Sequence, residues 1–139
     1  VGEGRTQVAK RIEIKKSANT LRFYDGEKLI KQYRVATGQD PRVTPEGRFS
    51  IVFKTTDPGW TNPKTGEFVP GGSPRNPLGS RWLGLGVPGT QGRDYGIHGT
   101  NQPWSIGQHI TLGCVRMHNR DVEELYPQVP LGTMVTITK

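Results

Sequence analysis

The chain alternates. "KRIEIKK" (10–16) and "TLRFYD" (20–25) place apolar residues at every second position, the period of a strand with one face in a core and one in water. Asp25-Gly26 follows, a pair suited to the positive backbone angles of a tight hairpin, and "EKLIKQYRVATG" (27–38) returns as the partner strand. "PEGRFSIVFKTT" (45–56) reads as a further strand after a Pro-Glu-Gly turn. "RWLGLG" (81–86), "YGIHG" (95–99) and the β-branched "TMVTIT" (133–138) supply three more. Nineteen glycines and eleven prolines favour short strands and turns over long helices. A mainly β fold is expected.

One helix breaks the pattern. Asn119 is a suitable N-cap, and Val122, Leu125, Tyr126 and Val129 fall on one face at i, i+3, i+4 and i+7. Asp121 suits the first turn through the helix dipole, and Pro127 and Pro130 end or kink the helix. A shorter helical turn is expected around Trp104–Gln108. Residues 57–80 hold five prolines and five glycines. So long a connection suggests a flap over a site, with Asn62-Pro63-Lys64-Thr65-Gly66 turning a small hairpin whose arms carry Trp60 and Phe68.

At 139 residues the chain has the size of one domain. Residues 1–9 read as a linker or truncated N-terminus, and residues 10–139 as the folded domain. No apolar run reaches the length of a membrane span. The net charge is +7, and nine of the nineteen basic residues lie in the first 34 positions. Arg11, Glu13 and Lys15 alternate there with Ile12 and Ile14, which is the pattern of a solvated strand face. Neither an arginine-rich helix nor a basic-aromatic stacking platform is present, so no nucleic-acid partner is expected. Attraction to an anionic polymer remains compatible with the charge.

The only cysteine, Cys114, and all three histidines lie between residues 98 and 118. A single cysteine excludes an internal disulfide. Nucleophilic catalysis would need a thiolate, a base and donors for an oxyanion. Gly113 before the cysteine permits a sharp turn whose amides can share one hollow, and Arg116 adds positive charge that would lower the thiol pKa or bind a carboxylate. Imidazole is the side chain that titrates near neutral pH. His98 ends an apolar strand between Gly96 and Gly99, well placed to meet a neighbouring loop. His109 lies in a polar connector and reads as solvated; His118 reads as packing on or capping the following helix. Two other readings stay open on spacing alone. Cys114 can be a small buried hydrophobe, or His109, Cys114 and His118 can ligate zinc with His98.

His98-Gly99-Thr100, sixteen positions on to Cys114, and Thr111-Leu112-Gly113-Cys114-Val115-Arg116-Met117 together resemble the signature of the YkuD-type L,D-transpeptidases. The resemblance extends from about residue 10 to residue 139. It takes in Leu21, Phe23 and Tyr24, Thr37-Gly38, Thr44-Pro45-Glu46-Gly47, Trp82-Leu83 and the stretch from Asp121 onward. Many members carry histidine immediately before Gly-Cys, where this chain has Leu112, which throws more weight onto His98.

The resemblance implies a β-sandwich-like domain of mixed sheets with one helix after the cysteine loop. It implies a peptidoglycan L,D-transpeptidase that forms 3→3 cross-links through a Cys114 thioester and releases the terminal D-alanine. Cys114 would be the nucleophile and His98 the base. Thr111, Gly113, Val115, Arg116 and Gly99 would serve the oxyanion or the substrate. No metal or organic cofactor is implied. The partners would be stem peptides as acyl donor and amine acceptor, with carbapenems as inhibitors, a monomeric state and an extracytoplasmic address in cell wall or periplasm. L,D-carboxypeptidase action and a non-catalytic wall-binding module are the alternatives.

Overall fold

The computed structural model describes residues 10–40 and 42–139; the expected linker at 1–9 lies outside them. The strands are β1 (Lys10–Lys15), β2 (Thr20–Asp25), β3 (Lys28–Arg34), β4 (Thr37–Gly38), β5 (Gly47–Thr56), β6 (Trp60–Thr61), β7 (Phe68–Val69), β8 (Arg81–Leu85), β9 (Gly96–His98), β10 (His109–Thr111), β11 (Val115–Arg116) and β12 (Met134–Thr138). One α-helix, α1 (Asn119–Leu125), follows β11 and passes into a 3₁₀ turn at Tyr126–Gln128. Among the described residues the fold is mainly β, a curled mixed sheet with a single α-helix.

Eight strands form the main sheet in the order β11-β9-β8-β5-β12-β1-β2-β3. β1 and β12 pair in parallel, as do β9 and β11; the remaining pairs are antiparallel. Strand β5 joins two halves, because Gly47–Ser50 pair with β12 and the stretch from Ile51 pairs with β8. The register slips between Ile51 and Phe53, and a bulge of this kind bends a strand and adds twist.

The alternation read in β1, β2 and β12 appears as written. Ile12, Ile14, Leu21, Phe23, Val135 and Ile137 are buried on one face, with polar neighbours outward. Ile51, Leu83, Leu85, Ile97, Val115 and Met117 continue the core, and Val122, Leu125 and Val129 close over it. Burying each such side chain contributes roughly 1.5–3 kcal/mol.

Four local expectations change. In the first hairpin only Gly26 takes a positive φ, +64°; Asp25 ends β2, and the two turn residues are Gly26 and Glu27. The strand expected over 27–38 breaks after Arg34, since Ala36 bridges to Arg116 and β4 pairs with β10. The expected helical turn at 104–108 is a 3₁₀ turn at Pro103–Ser105. Asn119 lies inside the helix, with His118 at the N-cap and no side-chain cap there. The 57–80 hairpin does form, pairing Trp60 with Val69 and Thr61 with Phe68.

Candidate active site

Cys114 stands on a turn that requires glycine before it. Gly113 has φ +140°, and a Cβ there would come 2.7 Å from the Val43 carbonyl oxygen and 2.9 Å from Tyr95 Cε1. Thr111 fixes the turn from within: its Oγ1 accepts from the Gly113 N–H (3.2 Å) and donates to the Cys114 carbonyl (2.7 Å). Strand β11 then runs parallel to β9 with Val115 opposite Ile97 and Arg116 opposite His98. Val115 and Ile97 are core residues. Strand alternation therefore turns Cys114 and His98 to the other face of the same pair. The Met117 N–H to His98 carbonyl bond (2.8 Å) locks this register.

His98 is 4% exposed. Its Nδ1 donates to the Gly99 carbonyl at 2.5 Å, which leaves Nε2 as the basic nitrogen. Trp82, its partner across β8 and β9, stacks on the imidazole with centroids 5.6 Å apart and planes 18° from parallel. Trp82 is in turn pinned by its Nε1–H, which donates to the Gly92 carbonyl (2.9 Å). Gly96 leaves room for this ring, since a Cβ there would meet Trp82 Cζ2 at 2.7 Å.

Burial sets the resting protonation. It pushes the His98 pKa down to about 4, against the Gly99 and Leu78 carbonyls that favour the charged ring. It pushes the Cys114 thiol up to about 11, outweighing the Gly96 backbone and the Arg116 charge that favour the thiolate. Arg116 lowers the thiol pKa as expected from its charge, but the opposing desolvation is larger. Near neutral pH the pair is a neutral thiol and a neutral imidazole, and the Cys114 thiol contacts the Asp94 carbonyl at 3.5 Å.

The 57–80 segment walls two hollows. One, of about 680 Å³, holds Cys114 together with Phe53, Trp60, Trp82, Arg93 and Asp94. The other, of about 780 Å³, is lined by Ser73, Asn76, Ser80, Thr100, His118 and Asn119. Asp57 lines both, and it holds a left-handed φ of 44° at the flap root.

The remaining residues singled out from sequence fall elsewhere. Arg116 reaches Ser105 Oγ (3.0 Å) and Gln102 Oε1 (3.3 Å), so it braces the 103–105 turn. Gly99 packs against Asn119, whose Oδ1 would lie 2.0 Å from a Cβ placed there. Leu112 is 78% exposed beside the cysteine turn. His109 is solvent-exposed but sits in β10, its ring nitrogens 2.9 Å from Thr37 Oγ1 and 3.4 Å from Asn19 Nδ2. His118 lines the hollow that lacks Cys114. The zinc set of His98, His109, Cys114 and His118 is not assembled: among the described residues, no three His, Cys, Asp or Glu side chains converge as a metal site would require.

Sequence reasoning missed Asn119. Its Oδ1 accepts from Thr100 N–H (3.1 Å) and Ser80 N–H (3.2 Å), and its Nδ2 donates to the Thr100 carbonyl (2.9 Å). It clasps the flap's C-terminal root to the segment that carries His98. The available signal was the pair Gly79 and Gly99, both of which leave space for its amide.

A β domain with a cysteine in a flap-walled cleft, on the turn that leads into β11, and a buried histidine on the neighbouring β9 defines a class of candidate cysteine nucleophile sites. Within that class, the chain belongs to the YkuD family, whose description is L,D-transpeptidase catalytic domain and whose sequence profile matches residues 9–137. The Bacillus subtilis protein YqjB, named as an L,D-transpeptidase, is 44% identical over 125 residues, covering 90% of this chain and 69% of its own length. The L,D-transpeptidase from Mycobacterium smegmatis matches with a TM-score of 0.72 at 15% identity, covering 94% of this chain and 59% of that one. LdtMt1, solved in complex with imipenem, matches with a TM-score of 0.70 at 16% identity over 94% of this chain and 59% of its own. At such identities the two structures speak for the fold. The chain thus spans roughly six to seven tenths of the proteins it matches.

Proposed function

We propose that this L,D-transpeptidase-family chain forms 3→3 peptidoglycan cross-links, with Cys114 as nucleophile and His98 as base. The observation that supports the reading is the parallel pairing of β9 and β11, which sets His98 on the strand beside the one that Cys114 leads into, together with the cleft that Cys114 lines. In the first half-reaction the Cys114 sulfur adds to the stem-peptide carbonyl carbon while its proton passes to His98 Nε2. Collapse breaks the C–N bond, the imidazolium proton goes to the leaving D-alanine amine, and a thioester remains. An acceptor amine then gives a proton to His98 and attacks the thioester. The C–S bond breaks and the sulfur recovers its proton.

The neutral resting pair suits this route. A buried neutral base takes the proton as the S–C bond forms, so no separated ion pair need stand in a dry site beforehand. Since the Gly113 N–H is held by Thr111 and the Val115 N–H is engaged in the β9–β11 ladder, the oxyanion would fall to the Cys114 amide. Thr111 and Gly113 shape the turn, and Gly99 holds the His98 tautomer through its carbonyl. A second hollow shares Asp57 with the cysteine cleft, and an amine acceptor entering from it would direct the thioester to transfer in place of hydrolysis by an L,D-carboxypeptidase route. No step calls for a metal or an organic cofactor. A wall substrate implies an extracytoplasmic address, and among the described residues no helix is long and apolar enough to cross a membrane.

Intact mass after incubation with a carbapenem tests the reading. We expect one adduct per chain on the wild type and none on Cys114→Ala. A wild-type protein that is folded, reduced and unmodified would overturn it. Product analysis with a stem tetrapeptide, with and without an amine acceptor, then separates transfer from hydrolysis.

A further inference from the structure

The half of the sheet farthest from Cys114 carries a second, unassigned surface. Registers and alternation define it residue by residue. On the outward face of β5, β12, β1, β2 and β3, one row across the strands reads Arg48, Thr136, Glu13, Arg22, Gln32. The next reads Thr138, Lys15, Thr20, Arg34. A third reads Ser50, Met134, Arg11, Tyr24, Leu29. The opposite face of the same strands is the core, so this one is open to solvent. A groove of about 490 Å³ crosses it, lined by Lys15, Thr20, Arg22, Gln32, Thr136 and Thr138 among others.

Its charge is one-sided. Glu13 is the one acid in these rows, and Arg11 neutralises it. Among the described residues Lys15, Arg34 and Arg48 have no ion pair, and the hydrogen bond found for the Arg22 side chain goes to the neutral Gln32 oxygen (2.8 Å). Four cations without an ion pair among the described residues therefore lie on one outward face, the Arg34 guanidinium leaning against Gly107. Arg22 lies diagonal to both Lys15 and Arg34, about 7–8 Å away at the backbone. Arg48 stands three strands from Arg22, about 14 Å. Three of the four are arginines, whose planar forks match phosphate oxygens. Between them sit the hydroxyls of Thr20, Thr136 and Thr138 and the Gln32 amide, which suit a polyol. The one aromatic ring in the rows, Tyr24, is covered by the Arg11 guanidinium 4.0 Å from its centroid, so no platform is open for nucleobase stacking.

We infer that this face binds an anionic polyol-phosphate polymer, holding the domain against a polyanionic matrix while the cleft at the other end of the sheet stays free. The inference rests on the face alone and stands independently of the reaction at Cys114.

The test is retention on immobilised poly(glycerol phosphate) at 50 and 200 mM salt, with poly-L-glutamate and single-stranded DNA as comparison polymers. Four phosphate contacts at a salt slope of about −0.7 each predict an affinity loss of about fifty-fold across that range. The triple variant Lys15→Gln, Arg22→Gln, Arg48→Gln should bind more weakly at 50 mM and lose only about threefold, as expected for one remaining contact. Arg22→Gln alone should give an intermediate slope, which keeps the test open if the triple variant folds poorly. Acylation of Cys114 by a carbapenem should proceed at the wild-type rate in each folded variant, so a failed transpeptidase reading and a failed surface reading give different results. Unchanged retention of the variants, or equally tight binding of poly-L-glutamate or DNA, would overturn the inference.

Discussion

The two ends of the main sheet solve the same burial problem in opposite ways. At the β12-β1-β2-β3 end β12, β1 and β2 each bury one face and wet the other, the edge strand β3 buries Tyr33 alone, and the outward cations sit in water. At the β11-β9-β8 end Trp82, Leu83, Gly84 and Leu85, and all of Gly96–His98, are buried. There, desolvation is the largest of the causes that bring His98 down to about 4 and Cys114 up to about 11. If His98 and Cys114 act as proposed, the lesson is that reactivity depends on where the fold withholds water more than on where its charge is densest.

The largest expected effect tests that contrast at the buried end. Replacing His98 by Ala removes the neutral base, and carbapenem acylation should slow by roughly 10²–10⁴-fold, about 3–5 kcal/mol. The wild-type rate should stay nearly flat from about pH 5 to 10, because the base is neutral above its pKa of about 4 and the thiol is intact below about 11. In His98→Ala the remaining rate should climb about tenfold per pH unit toward the thiol pKa, as thiolate forms. His109→Ala, on the exposed β10, should match the wild type. Equal losses in the two variants would sink the assignment of His98.

The next effect is one of stability. Between pH 6.5 and about 4 the unfolded chain takes up a proton on residue 98 that the native site refuses. Stability therefore falls as pH drops through that window, by about 3 kcal/mol at its lower end. Urea unfolding of the wild type and His98→Gln at pH 7 and pH 4 isolates the contribution. The wild type should lose about 3 kcal/mol more than the variant, and parallel losses would mean that the imidazole is not buried neutral.

This same contrast explains what could be read from the sequence. Strands with one wet face announce themselves by alternation, and β1, β2 and β12 were legible to within a residue. β10 and β11, three and two residues long, carry no period to detect. The hairpin of the flap was legible because Asn62 to Gly66 is turn chemistry. His98 and Cys114 were legible as candidates from residue types and family resemblance, and the parallel pairing of their strands depends on contacts far apart in sequence. The direction of the net thiol shift was not legible. Arg116 is visible as a charge in sequence, whereas the larger opposing desolvation exists only once β8, β9 and the flap have closed around the site. Asn119 was misread for a similar reason: its local pattern fits an N-cap, but its amide serves partners near residues 80 and 100.

Asn119 supplies the third prediction, at the join between the flap and the buried end. Asn119→Ala leaves the Thr100 and Ser80 N–H groups and the Thr100 carbonyl without their present partner, a loss of about 1–3 kcal/mol in stability. If the clasp also positions His98, the pH profile of acylation in the folded variant should tilt toward that of His98→Ala. Gly99→Ala should mimic it by displacing the Asn119 amide, and the double variant should cost less than the sum of the two. Additive losses with an unchanged pH profile would reduce Asn119 to a structural tie.

The smallest effect belongs to the wet end, and it is informative because it is small. Arg22 is exposed on β2 and bonded only to the neutral Gln32 side chain. Arg22→Gln should change stability by no more than about 0.5 kcal/mol, since exposed polar contacts contribute little once water can replace them. Thermal unfolding at low and high salt provides the check. The wild type should gain slightly more from added salt than the variant does, because salt screens the mutual repulsion of Arg22 with Lys15 and Arg34. A large loss of stability on removing this charge would mean that the outward face is part of what holds the sheet together, and the division between a dry reactive end and a wet charged end would fail at its simpler half.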